Sequence, residues 1–183
     1  MVDETILPKI EALPSDIKDH LRTLFNLVVE LKAQVVVEVG AGLSTYALLA
    51  GVNKTGGHFW SIDQILGVQE DRYPQWAEML ESDLNYNFLC GNDMGIVKNW
   101  VFPIDFFFLD SSHQYQHTLD ELKEWGKWVK IGGKIAMHDT HHTIGHAIRC
   151  REALDDFLAE LPGAFSAEHN SDCGGLSILT KLK

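Results

Sequence analysis

Val35-Val36-Val37-Glu38-Val39-Gly40-Ala41-Gly42-Leu43-Ser44-Thr45 is the stretch that decides the fold. Val35 to Val39 is a β-branched run broken by a single acid, the pattern of a strand covered on both faces, as in parallel sheets. Gly40-Ala41-Gly42 then lets the backbone turn tightly and approach a ligand closely. The helix that follows offers its free amides to whatever binds there. On its own this turn reads as a nucleotide-like site or simply as a structural glycine turn.

The pattern repeats along the chain. His58 to Asp63 reads as a second strand, Asn87 to Cys90 as a third, Ile104 to Asp110 as a fourth and Lys134 to Asp139 as a fifth. An N-terminal helix is expected over residues 15–33, started by Pro14-Ser15 with Asp16 and Asp19 in its first turn. Another is expected over residues 116–130, with Gly132-Gly133 as its stop. After a helix from about His146 to Leu161 come two strands, Phe165 to His169 and Leu176 to Leu182, separated by a turn-forming segment. Strands alternating with helices imply right-handed crossovers and a doubly wound, mostly parallel α/β sheet. Seven strands and a C-terminal antiparallel hairpin complete the expected single domain over residues 1–183.

Composition narrows the function. Hydrophobic residues make up 45% and charged residues 22% of the 183, an ordinary globular balance. The 26 acidic residues outnumber the 15 basic ones, for a net charge of −11 with neutral histidines. Such a field repels phosphate backbones, so no nucleic-acid partner is expected. Cys90, Cys150 and Cys173 lack metal-type spacing and read as reduced thiols. No apolar run reaches the roughly 18 residues of a membrane span, and no charged-then-apolar leader opens the chain. The expectation is a cytoplasmic protein with no membrane partner.

Ligands of such sheets bind beyond the carboxyl ends of the strands. Those ends here carry Glu38, Asp63, Asn92, Asp93, Asp110 and Asp139. Glu38, just before the glycine turn, would repel a pyrophosphate and suits a cationic ligand. Thr45 stands where the dinucleotide fingerprint has its third glycine, which argues against an NAD-type oxidoreductase. Asp63 ends the second strand, where an acid can accept hydrogen bonds from two ribose hydroxyls. Together they suggest a nucleoside cofactor without a pyrophosphate.

From Leu31 to Lys183 the sequence resembles the class I S-adenosylmethionine (SAM)-dependent methyltransferases. It is most similar to their small-molecule O-methyltransferase branch, which includes macrolide-sugar methyltransferases and cephalosporin-hydroxylase-like proteins. The carrying pattern is Asp110-Ser111-Ser112-His113-Gln114-Tyr115, then Asp120, Leu122 and Trp125, then Gly132-Gly133-Lys134-Ile135-Ala136-Met137-His138-Asp139; Glu121 interrupts the usual order. The resemblance implies that Gly40, Gly42, Ser44 and Thr45 line the methionine part of SAM, with Glu38 near its ammonium. It implies Asp63 on the ribose, Asn92 and Asp93 beside the adenine, and Asp110 close to the cofactor. It also implies a catalytic set of Asp110, Asp139 and His113, the last as general base for a small hydroxylated substrate.

A divalent cation is a further expectation, since carboxylates ending strands about 4.8 Å apart can share one ion. Asp110, His138 and Asp139 are the candidate ligands. Oxygen donors favour Mg²⁺, whereas His113, His117, His138, His141, His142 and His146, with their i,i+4 spacings, would favour Zn²⁺ or Fe²⁺. His138 and Thr140 stand where metal-dependent relatives carry an acid and an amide, which weakens the Mg²⁺ reading. A metal-dependent hydrolase or oxygenase and a non-catalytic SAM-binding protein are the rival functions. The five tryptophans read as packing residues, Tyr115 as substrate-facing or packing, and Ser111-Ser112 as no nucleophile elbow. Residues 1–15, 64–75 and 140–146 are expected to shape the substrate pocket. With no insertion to form a lid, a partner protein or homodimer is the expected cover.

Overall fold

In the computed structural model, which describes residues 1–66, 68–141 and 147–183, the opening run Val35–Val39 is strand β1. It is followed by β2 (His58–Asp63), β3 (Tyr86–Cys90), β4 (Ile104–Leu109), β5 (Val129–His138), β6 (Phe165–Asn170) and β7 (Leu176–Lys181). The sheet order is β3-β2-β1-β4-β5-β7-β6. The first five strands are parallel, and β7 lies antiparallel between β5 and β6. Winding reverses between β1 and β4, so the crevice beyond their carboxyl ends is the expected ligand position.

The helices are α1 (Leu7–Glu11), α2 (Leu21–Glu30), α3 (Leu43–Thr55), α4 (Val68–Arg72), α5 (Pro74–Glu81), α6 (Asp93–Ile96), α7 (Tyr115–Gly126) and α8 (Ala147–Glu160). Side chains alternate across each strand, so both faces are covered. Val36, Phe106 and Phe108 pack with α1, α2 and α3. Val37, Val39, Phe107 and Leu109 pack with Leu122 and Trp125 of α7 and Phe157 of α8. Phe106, Phe107 and Phe108 are all fully buried, each contributing about 1.5–3 kcal/mol of apolar transfer. That strand therefore anchors Asp110 in the middle of two cores.

Two helix expectations are corrected. The N-terminal helix does not run over 15–33: Lys18–His20 is a 3₁₀ turn and α2 begins at Leu21. Ser15 Oγ accepts only from Ile17 N, 3.3 Å away, closing a local turn. Buried His20 holds the turn by a 2.7 Å contact from Nε2 to the Asp172 carbonyl. The helix expected over 116–130 stops at Gly126, and Val129 already pairs with Ile104 in β5. Gly132-Gly133 is not a helix stop but lies at a register shift in that strand, where a Cβ on Gly133 would come within 2.9 Å of the Asp105 carbonyl. Residues 1–15 are not simply a pocket loop either, because Ile6, Leu7 and Ile10 are buried in the core.

Candidate active site

The glycine turn is built against β4. Gly40 has φ +95°, and a Cβ there would collide with the Asp110 carbonyl, so the two strand ends meet backbone to backbone. Asp63 fastens the turn from β2: its Oδ2 accepts from Ala41 N (3.1 Å) and its Oδ1 from Ile65 N (2.9 Å). From outside, Gln69 Nε2 donates to the Gly42 carbonyl and Arg72 Nη1 to the Ala41 carbonyl. Arg72 is thus more than a solvated loop residue, and Tyr73 stacks with Trp76.

Glu38 is not placed as expected. It is fully buried on the α3 side of the sheet, with both carboxylate oxygens committed inside the chain. Ser44 Oγ donates to Oε1, while Thr45 Oγ1 and Ser61 Oγ each donate to Oε2 at 2.7 Å. Thr45 Oγ1 in turn accepts from Gly42 N at 3.1 Å. Burial pushes the Glu38 carboxyl up to about 7, outweighing the three hydroxyls that favour its charge. Its part is to tie β1, β2 and the first turn of α3 together beneath the glycines, and Thr45 shares that part.

A cavity of about 500 Å³ lies over this turn. The turn forms its floor, Ser44 included, with Asp63 and Asp93 on one side and Asp110, His113 and Asp139 on another. Ser15, Asp16 and Ile17 reach its rim. Asn92 does not line it: its side chain caps α6, accepting from Gly95 N at 3.0 Å.

Asp110, His113, His138 and Asp139 converge. His113 and Asp139 both adopt left-handed backbone (φ +56° and +55°), unusual for residues other than glycine and common at functional sites. His113 Nε2 lies 2.7 Å from Asp139 Oδ2 and 3.2 Å from Asp110 Oδ1. Those two carboxylates raise His113 to about 10 against the opposing effect of partial burial. His138 is buried, its Nε2 donates to the Cys173 carbonyl at 2.8 Å, and its Nδ1 is 3.6 Å from each aspartate. Burial works against its charge, but the aspartates win and hold it near 11. Both aspartates are correspondingly depressed despite burial, by the hydrogen bonds from His113 and the nearby charge of His138. Two carboxylates are thus matched by two imidazolium rings.

His113 and His117 do not share a helix face, because the left-handed turn at His113 precedes α7. His117 instead joins Asp93 and Glu121, its Nε2 being 3.3 Å from an oxygen of each. Glu121 above all, then Asp93, lifts His117 to about 9. Glu121 is fully buried and accepts from Ser111 Oγ at 2.7 Å. Sequence reasoning missed this cluster, although position 121 falls on the inner face of α7 with Thr118, Leu122 and Trp125. Tyr115 packs: its hydroxyl donates to Asp156. The His138/His142 and His142/His146 spacings lie outside the described residues.

The fold and this crevice define an α/β protein of the nucleoside-cofactor class. Comparison with known proteins makes that specific: residues 37–140 match the family described as a methyltransferase domain, and the chain belongs to it. Among solved structures it is similar to an O-methyltransferase from Bacillus cereus in complex with SAH (TM-score 0.74, 19% identity, 98% of this chain and 92% of that one). It is also similar to the O-methyltransferase TomG from Streptomyces achromogenes, involved in tomaymycin synthesis, in complex with SAM (TM-score 0.74, 15% identity, 99% and 91%). A third is the SAH-bound methyltransferase PaMTH1 from Podospora anserina (TM-score 0.69, 14% identity, 97% and 88%). Callose synthase 5 from Arabidopsis thaliana is 28% identical over 65 residues, 36% of this chain but 3% of that protein. So short a match carries no argument about activity. Among the described residues no helix is long and apolar enough to cross a membrane.

Proposed function

We propose that the protein transfers the methyl group of SAM to a hydroxyl oxygen of a small molecule. The observation that carries this reading is one cavity bounded by the Gly40–Gly42 turn, Asp63 and the Asp110–His113–Asp139 group. The turn's open floor suits the methionine part, Asp63 the ribose, and Asp93 the adenine end. Structural neighbours that bind SAM or SAH support the cofactor, and their O-methyltransferase names support the acceptor atom. The D-x-x-H spacing of Asp110 and His113 supports the branch that includes macrolide-sugar methyltransferases.

In the reaction the hydroxyl oxygen attacks the methyl carbon, the C–S bond breaks and its electron pair stays on sulfur. The chain's contribution is alignment and removal of the hydroxyl proton. His113 Nε2 already carries a proton near neutral pH, so it accepts another group's proton only in the fraction where it is neutral. Turnover limited by that fraction rises about tenfold per pH unit below its titration.

Asp110 and Asp139, with His113 beside them, are the residues that would hold a divalent cation, which when bound would polarise the acceptor hydroxyl. Thr140 Oγ1 accepts from Ser177 Oγ at 2.7 Å and His138 Nε2 donates to the Cys173 carbonyl, so these two are turned to other partners. No step is routed through a metal.

Calorimetric titration with SAM and SAH tests the reading, with Gly40→Arg as the blocked control. Micromolar binding abolished in the control is expected; no binding at millimolar cofactor overturns it. His113→Gln should lower turnover far more than SAM affinity and flatten the alkaline rise in rate.

A further inference from the structure

The second cluster, Asp93, His117 and Glu121, borders the same cavity through Asp93 and His117. Asp93 stands at the adenine end of the cofactor reading, whereas His117 and Glu121 take no part in the methyl transfer just described. Three features set it apart from an ordinary ion pair. First, its ligand-type atoms lie within 4.8 Å of one another, with His117 Nε2 3.3 Å from Asp93 Oδ1 and 3.3 Å from Glu121 Oε1. A charge-assisted N–H···O bond closes to about 2.7–2.9 Å. By contrast, the edge of a tetrahedron with metal–ligand bonds of about 2.0 Å is about 3.3 Å. Second, Glu121 Oε1, the oxygen facing His117, is buried and has no hydrogen-bond partner, and neither has Asp93 Oδ2. Both side chains are at least nine-tenths buried, so these lone pairs are not satisfied by bulk water. Third, Ser111 Oγ holds the other Glu121 oxygen, the kind of outer contact that orients a metal-binding carboxylate.

We propose that Asp93, His117 and Glu121 form a binding site for one divalent transition-metal ion of the zinc class. One nitrogen and two carboxylate oxygens make the mixed donor set such ions accept, and they supply too few oxygens for Ca²⁺. Asp93 and His117 also line the cavity, so the fourth coordination position faces it. Three protein ligands with one open position is the arrangement of an exchangeable or reactive site and not of a closed structural one. The site is separate from the Asp110–His113–Asp139 group.

The test uses the full chain, stripped with a chelator, and Zn²⁺ alone as the titrant. A parent variant, Asp110→Asn with Asp139→Asn, removes the neighbouring carboxylates. Equilibrium dialysis with elemental analysis should find a zinc ion bound by the parent, with affinity falling about a hundredfold or more on adding His117→Gln or Glu121→Gln. Co²⁺ substituted in the parent should give the intense visible bands of a four-coordinate ion, absent when Glu121 is replaced. Because Glu121 is in the core, Asp93→Asn serves as the second variant, with circular dichroism confirming its fold. Zinc affinity unchanged by both His117→Gln and Asp93→Asn overturns the proposal, as does a folded parent that binds no zinc.

Discussion

Replacing Glu38 by Gln isolates the consequence of burying an acid beneath the glycine turn. Glutamine keeps the shape and one carbonyl oxygen for the Thr45 and Ser61 hydroxyls; its NH₂ meets Ser44 Oγ, which can turn to accept. In the folded chain Glu38 holds its proton up to about 7, whereas the ordinary value is 4.5. Between those values the folded state keeps a proton that the unfolded chain has released, so unfolding free energy falls as pH rises. The contribution is fully present below 4.5 and lost as pH passes about 7. At 1.36 kcal/mol per unit, the difference amounts to about 3 kcal/mol. Urea unfolding of wild type and Glu38→Gln, measured across this range, gives a difference curve in which groups common to both cancel. Wild type should lose about 3 kcal/mol relative to the variant on going from acid to mildly alkaline pH. Parallel curves would show that Glu38 does not titrate there and refute the reasoning.

Other consequences follow from backbone and sheet-end contacts. Gly40→Ala should cost more than about 2 kcal/mol and abolish cofactor binding, because φ +95° and the Asp110 carbonyl leave no room for a Cβ; thermal melts and calorimetry check both. Gly174→Ala places a Cβ 2.6 Å from Asp139 Oδ1 at φ +79°, so the Asp139–His113 pair should open, read as a lowered His113 titration by NMR. Asp105 accepts from Gln34 N and Val35 N, both at 2.9 Å, and pairs with Lys130. Burial opposes its charge, but Lys130 and the two amides hold it below the usual carboxylate range. Its contribution is therefore present above that range and lost as pH falls; Asp105→Ala should cost about 1–3 kcal/mol near pH 7 and progressively less in acid.

The sheet was legible because its strands are covered on both faces. Apolar runs such as Phe106–Leu109 carry that signal, and that run leads directly into Asp110, which enters the crevice. Helix ends were less legible. Gly132-Gly133 resembles a helix stop, and only pairing with β4 reveals it as part of a strand. Asp63, Asp110, His113 and Asp139 could be located from strand ends and motif spacing. The direction in which Glu38 faces could not, since it depends on hydroxyls from α3 and on Ser61 in the neighbouring strand. Glu121 needed a different question, namely why a carboxylate occupies the inner face of an amphipathic helix.

The tip between β6 and β7 has a practical bearing on protein engineering. Asn170 to Gly175 looks like an ideal place to insert an epitope or a fluorophore, since Asn170, Ser171 and Asp172 are exposed. Hairpin tips of small polar residues usually tolerate such additions. Here the Asp172 and Cys173 carbonyls grip His20 and His138, and His141 N bonds to the Gly174 carbonyl at 2.8 Å. A label there would pull on the back wall of the active site. The exposed turn at Leu84, which leads into β3 at the opposite edge of the sheet, is the safer attachment point.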